Sequence, residues 1–174
     1  MIRKPAPLEY SALMEYAVRT VTGRGLSTLE MRRKLARRAA QREDVDRVLA
    51  ALKDAGALND ERFAESFAAS RLENRGFGRM RVLRDLRARQ VAPGIAEEAV
   101  TSAYGETDEI ALIESYIAKK FRGKDMPVYL AEEKNLASAF RKLRLAGFSP
   151  GNSIRALKKY SQRAEELEDS DTGG

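Results

Sequence analysis

The chain has 174 residues, with 32 Lys+Arg against 26 Asp+Glu for a net charge of +6, and it contains neither histidine nor cysteine. Those two absences exclude disulfides, the usual Cys/His zinc sites, thiol nucleophiles and the commonest general base, so neither catalysis nor a cofactor or metal is expected. The excess of cations instead points to a polyanionic partner, either nucleic acid or an acidic protein surface.

With 33% charged residues, no tryptophan and six phenylalanines, the core is expected to be thin and made mainly of Leu, Ala, Val and Ile, which favours an elongated shape. The opening MIRKPAPLEY has no signal-peptide core, and no stretch approaches the roughly eighteen apolar residues of a membrane span. A cytoplasmic location is expected.

Apolar residues recur at three and four throughout, and no alternating strand pattern stands out, so the chain reads as all-α. A first helix is expected from near Pro7, with Tyr10, Leu13, Ala17 and Val21 on one face, ending before Gly23 and Gly25. Ser27-Thr28-Leu29-Glu30 is a capping box that starts a second helix at Thr28, with Met31, Leu35 and Ala39 inward. A third runs from about Glu43 to Gly56 over Val45, Val48, Leu49 and Leu52, and Asn59 or Asp60 caps a fourth bearing Phe63, Ala64 and Phe67.

After the break at Gly76-Phe77-Gly78, a fifth helix is expected to bury Met80, Leu83 and Leu86 and to present Arg81 and Arg84 on the opposite side. Pro93-Gly94 separates it from a sixth near Ile95. A seventh runs from about Asp108 with Ile110, Ile113, Ile117 and Phe121 inward, 123–129 reads as a loop, an eighth helix covers about 131–146, and Ser149-Pro150 caps and starts the ninth.

Nine helices divide into three sets of three. Tyr16 and Phe67, Gly25 and Gly76, Leu26 and Phe77, and Leu35 and Leu86 all share the offset of 51 residues, while a third copy aligns Tyr116 with Phe67, Leu143 with Leu86 and Phe148 with Val91. The expected architecture is three tandem three-helix repeats in an elongated, curved array, at 7–57, 58–105 and 106–163, followed by an acidic disordered tail at 164–174.

Adjacent acids at Glu97-Glu98 and Glu132-Glu133 project about 100° apart on a helix, do not face each other and read as solvated faces. The basic clusters are stronger candidates. Arg24, Arg32, Arg33, Lys34 and Arg37 lie in the first repeat, and Arg75, Arg79, Arg81, Arg84 and Arg87 occupy the equivalent part of the second. Recurrence at matching positions suggests a basic stripe for phosphates or for protein carboxylates, which arginine binds bidentately. Helix-turn-helix reading of a major groove is the rival arrangement, but the helix at 79–90 has only Gln90 as an amide suited to reading adenine.

Arg24-x-x-Ser27, Arg33-Lys34-Leu35, the run Gly56 to Ala64, Gly76-x-Gly78-Arg79-x-Arg81 with Leu86, and Arg141-Lys142-Leu143-Arg144 with Gly147-Phe148-Ser149 occur in this order. Together they resemble the RecX family over about Tyr10 to Tyr160. Ala39-Ala40 and Gln90 stand where that family usually ends a helix with glycine, and Asn59 where aspartate is common. An elongated repeat array with a charged surface is expected to be a monomer, and the resemblance implies a non-enzymatic regulator that binds the RecA recombinase filament on DNA. It further implies inhibition of ATPase, strand-exchange and coprotease activities, and hence modulation of recombination and the SOS response, with at most weak binding to bare DNA. The alternative is a free-standing nucleic-acid binder that uses the same basic face on phosphates.

Overall fold

The structure, a computed structural model, describes residues 6–23 and 25–167. Among them every regular element is helical: α1 Tyr10–Gly23, α2 Thr28–Ala36, α3 Arg42–Asp54, α4 Asp60–Ser70, α5 Arg79–Ala88, α6 Pro93–Tyr104, α7 Glu109–Lys120, α8 Met126–Leu130, α9 Glu133–Ala146 and α10 Pro150–Lys158. The chain divides into two compact units, Met1–Phe67 with Leu86–Ala99 and Ala68–Asp85 with Val100–Gly174. The expected repeat 58–105 thus contributes residues to both.

In the first unit the helical stripes bury what their spacing predicts. Leu13 and Ala17 of α1, Met31 and Leu35 of α2, and Val45, Val48, Leu49 and Leu52 of α3 form one core. The capping box is present, with Ser27 Oγ accepting from Glu30 N–H at 3.2 Å and Glu30 Oε2 accepting from Ser27 N–H at 3.1 Å. Asn59 caps α4 by accepting from Arg62 N–H at 2.7 Å, which leaves Asp60 to accept from Thr28 N–H at 2.7 Å. Asp60 thereby ties the start of α4 to the start of α2, satisfying an amide that the helix itself cannot.

In the second unit Ile113 and Ile117 of α7, with Phe121 just after it, pack with Leu136, Ala139 and Leu143 of α9 and with Ile154 and Leu157 of α10. Four expectations are corrected. The first helix begins at Tyr10, not Pro7, because Leu8 pairs in a parallel bridge with Ala39. The stretch 123–129 is not all loop, since Asp125 accepts from Val128 N–H and starts α8. The tail does not fray from 164: Gln162–Leu167 form a 3-10 helix that buries Ala164 and Leu167, and the rest of the expected tail, 168–174, lies outside the described residues.

The fourth correction concerns α5. Val82 and Leu86 are fully buried, whereas Met80 is 53% exposed. The amide of Gly78 donates to the Ala146 carbonyl at 2.9 Å and that of Met80 to the Gly147 carbonyl at 3.1 Å, so the first turn of α5 sits on the last turn of α9. This docking, absent from any local periodicity, rotates the stripe by about one position.

Helices α5 and α9 end alike. Val91 N–H donates to Leu86 C=O and Gln90 N–H to Arg87 C=O, as Phe148 does to Leu143 and Gly147 to Arg144. This is the Schellman pairing, which needs a left-handed residue at the turn. Gly147 supplies it at φ 95°, but at the matching place stands Gln90 at φ 62°, with its side-chain Oε1 buried and without a hydrogen-bond partner among the described residues. Replacing Gln90 by glycine is therefore expected to stabilise the fold by about 1 kcal/mol, read as a higher urea midpoint at unchanged slope.

Candidate partner-binding surface

The basic clusters separate into engaged and unengaged side chains. Arg32 pairs with Asp46 at 2.5 Å. Arg33, Lys34 and Arg37, held along α2 and its C-terminal end by the capping box at Ser27, are exposed and make no ion pair among the described residues. Arg24 lies outside the described residues.

In the second cluster, Arg75 closes a π-helical turn at Arg71–Arg75 and is exposed. Arg79 donates to Thr101 Oγ1 at 3.2 Å, and Arg87 reaches Glu97 at 3.5 Å. Arg81 pairs with Asp85 at 3.0 Å and stacks over Phe77 at 5.2 Å. Arg81 and Arg84 both donate to the Leu145 carbonyl, at 3.4 and 2.9 Å. These two arginines cap the C-terminal end of α9, where the carbonyls lack helical partners and the macrodipole favours cations. The sequence groups all five as one basic cluster, yet the structure gives Arg81 and Arg84 a part in packing as well.

Sequence reasoning missed Arg89. In the first unit its Nε donates to Glu30 Oε1 at 2.5 Å and its Nη2 to the Gly25 carbonyl at 2.9 Å, while its guanidinium lies 5.0 Å from the Phe63 ring and 5.9 Å from that of Phe67. Its own carbonyl accepts from Ser27 Oγ at 2.6 Å. As the last of seven arginines in the stretch Arg71–Arg89 it carries no signal of its own.

A cleft of about 370 Å³ in the second unit is bordered by Gly78, Arg79, Tyr104, Thr107, Glu109 and Ser149. Tyr104, Glu109 and Ser149 among them are occupied by structural bonds. Tyr104 donates to the Phe77 carbonyl at 2.7 Å, and burial pushes its hydroxyl up to about 12 against the opposing Arg79 charge. Glu109 accepts from Ser149 Oγ at 2.5 Å, Asn152 Nδ2 at 2.6 Å and Ser149 N–H at 3.0 Å. Ser149, expected to cap α10 with its own side chain, makes no such bond; the Glu109 carboxylate stands at that N-terminus instead.

Desolvation pushes the Glu109 carboxyl up, but its hydrogen bonds to Ser149 and Asn152, with the Arg79 charge, together hold it below the usual carboxylate value. A depressed carboxylate stabilises the fold above its unfolded pKa and loses that contribution as pH falls through the folded one. Glu109→Gln is therefore expected to unfold at a lower urea concentration than the wild type at pH 7, by about 1–2 kcal/mol. The gap should close progressively on acidification below about pH 4, where the wild-type carboxylate takes up its proton.

Helices throughout the described residues, with burial on one stripe of each, define an all-α helical-repeat protein. The family model described as RecX, second three-helix domain, matches residues 59–100. The regulatory protein RecX of Halorhodospira halophila is 32% identical over 155 residues, covering 89% of this chain and 91% of the relative. That of Chromohalobacter salexigens is 36% identical over 124 residues, covering 70% and 80%. The crystal structure of RecX from Lactobacillus salivarius superposes with a TM-score of 0.66 at 17% identity, covering 88% of this chain and 97% of that one. The chain belongs to the RecX family.

Proposed function

We propose that this protein is a non-enzymatic regulator, mainly an inhibitor, of the RecA recombinase, acting from the cytoplasm by binding the RecA–DNA filament and so modulating recombination and the SOS response. Family membership supports the regulatory class. The observation that carries the mode of action is the set of exposed cations, Arg33, Lys34 and Arg37 on the first unit and Arg75 on the second, that make no ion pair among the described residues. Such groups are available to carboxylates or phosphates of a partner, and many weak contacts along one protein give avidity without a deep pocket. Three repeats at 7–57, 58–105 and 106–163 remain the proposed division of labour, with the protein acting as a monomer and holding bare DNA only weakly.

The test compares two triple variants in a recombinase ATP-hydrolysis assay. Arg33→Ala/Lys34→Ala/Arg37→Ala is expected to inhibit about tenfold less at an unchanged unfolding temperature. Arg79→Ala/Arg81→Ala/Arg84→Ala should lose inhibition and stability together, because Arg81 and Arg84 also cap α9. Full inhibition by the first variant would remove α2 from the contact.

A further inference from the structure

The two units build the same junction from different side chains. In the first, Ser27 Oγ donates to the Arg89 carbonyl; in the second, Gly78 N–H donates to the Ala146 carbonyl. The repeat correspondence sets Leu26 against Phe77, Glu30 against Arg81, Phe67 against Tyr116 and Arg89 against Ala146. In the first unit the space over Phe63 and Phe67 is filled by the Arg89 guanidinium and neutralised by Glu30.

The second unit carries no arginine at the equivalent place, where Ala146 stands. Alanine at 146 is too short to cover Tyr116, arginine replaces the glutamate, and an open groove of about 180 Å³ is lined by Phe77, Arg81, Tyr116, Lys120, Lys142 and Leu145. Arg81 is already paired with Asp85. Lys120 and Lys142 make no ion pair among the described residues, Lys142 lying instead over the Phe121 ring at 5.2 Å. Leu145 at the rim is 62% exposed.

We propose that this groove receives an acidic segment of a protein partner, with a carboxylate at Lys120 and Lys142 and an apolar side chain against Leu145 and Tyr116. It is the charge-reversed counterpart of the first unit, where the chain supplies the cation and the acid itself. Nucleic acid fits less well. Arg81 covers Phe77 at 5.2 Å, which leaves the single ring of Tyr116 and no platform on which successive bases could stack, and a phosphate gains nothing from an exposed leucine. The inference deepens the regulator reading and rests on it only for the identity of the partner.

The experiment measures fluorescence anisotropy of a fluorescein-labelled peptide of alternating glutamate and leucine, beside the same peptide with glutamine for glutamate and a single-stranded oligonucleotide. The wild type is expected to prefer the acidic peptide over the amide peptide by about tenfold, and Lys120→Glu/Lys142→Glu to abolish that preference. Leu145→Ser, at an exposed position, should weaken the acidic peptide alone. Absence of the preference, survival of it in the double variant, or an equal loss of oligonucleotide binding would overturn the proposal; so would self-association that the same variants abolish, which would assign the groove to a second copy. Recombinase inhibition measured in parallel separates the two readings: a wild type that inhibits but shows no peptide preference keeps the regulator and loses the groove.

Discussion

Replacing Gly147 with alanine is expected to lower the unfolding temperature by about 10 °C, corresponding to roughly 3 kcal/mol or more. Two costs coincide there. Gly147 has φ 95°, a conformation that side-chain-bearing residues rarely adopt, and an added Cβ would lie 2.2 Å from the amide nitrogen of Arg81 and 2.5 Å from its Cβ. Relief would require the start of α5 to back away from the end of α9, breaking the Gly78-to-Ala146 and Met80-to-Gly147 bonds that dock them. The facing glycine behaves alike, since a Cβ at Gly78 would meet the Gly147 carbonyl oxygen at 2.3 Å. Gly94→Ala is the control: nothing lies within 4 Å of its added Cβ, and inside α6 alanine should be neutral or mildly stabilising. Thermal unfolding by circular dichroism of the three variants reads the contrast directly.

Arg89→Ala is expected to cost about 2–4 kcal/mol, the other large effect, through a different route. Arg89 and Glu30 are only 20% and 21% exposed in their side chains, so removal of the cation strands a largely buried carboxylate, uncovers the Phe63 and Phe67 rings and frees the Gly25 carbonyl. Lysine should not rescue it, because a point charge cannot lie flat on two rings while donating to both acceptors. A double-mutant cycle of Arg89→Ala with Glu30→Gln, followed by urea unfolding, should return a coupling of at least about 1 kcal/mol. Additive effects would mean that the ion pair contributes nothing beyond packing.

What the sequence discloses and what it hides follow from the range of the interactions. Val45, Val48, Leu49 and Leu52 announce the face of α3 because helical spacing alone brings them to one side, and Ser27 with Glu30 announces the start of α2 because both partners lie within one turn. The repeat offset linking Leu35 to Leu86 is likewise plain in the residues, and so is the resemblance to RecX proteins. Met80 misleads because the face of α5 is chosen by docking on α9, a contact between residues far apart in the chain. The stretch 123–129 reads as a loop but holds a helix start, since Asp125 is there to cap α8.

The candidate surface was legible only as a tally of charge. Counting arginines cannot distinguish Arg33, whose side chain makes no ion pair among the described residues, from Arg84, whose guanidinium caps a carbonyl 61 positions along the chain. Nor does it favour Lys120 and Lys142, which belong to unremarkable runs, until the loss of an arginine at Ala146 is set beside Arg89 in the same junction.

The most direct test of the regulator reading is the affinity of the protein for the RecA filament on single-stranded DNA against its affinity for the same bare DNA, at physiological salt. The account predicts at least about tenfold tighter binding to the filament, reduced by Arg33→Ala/Lys34→Ala/Arg37→Ala. Equal or tighter binding to bare DNA, falling steeply as salt releases counterions less favourably, would contradict it and identify a phosphate binder instead.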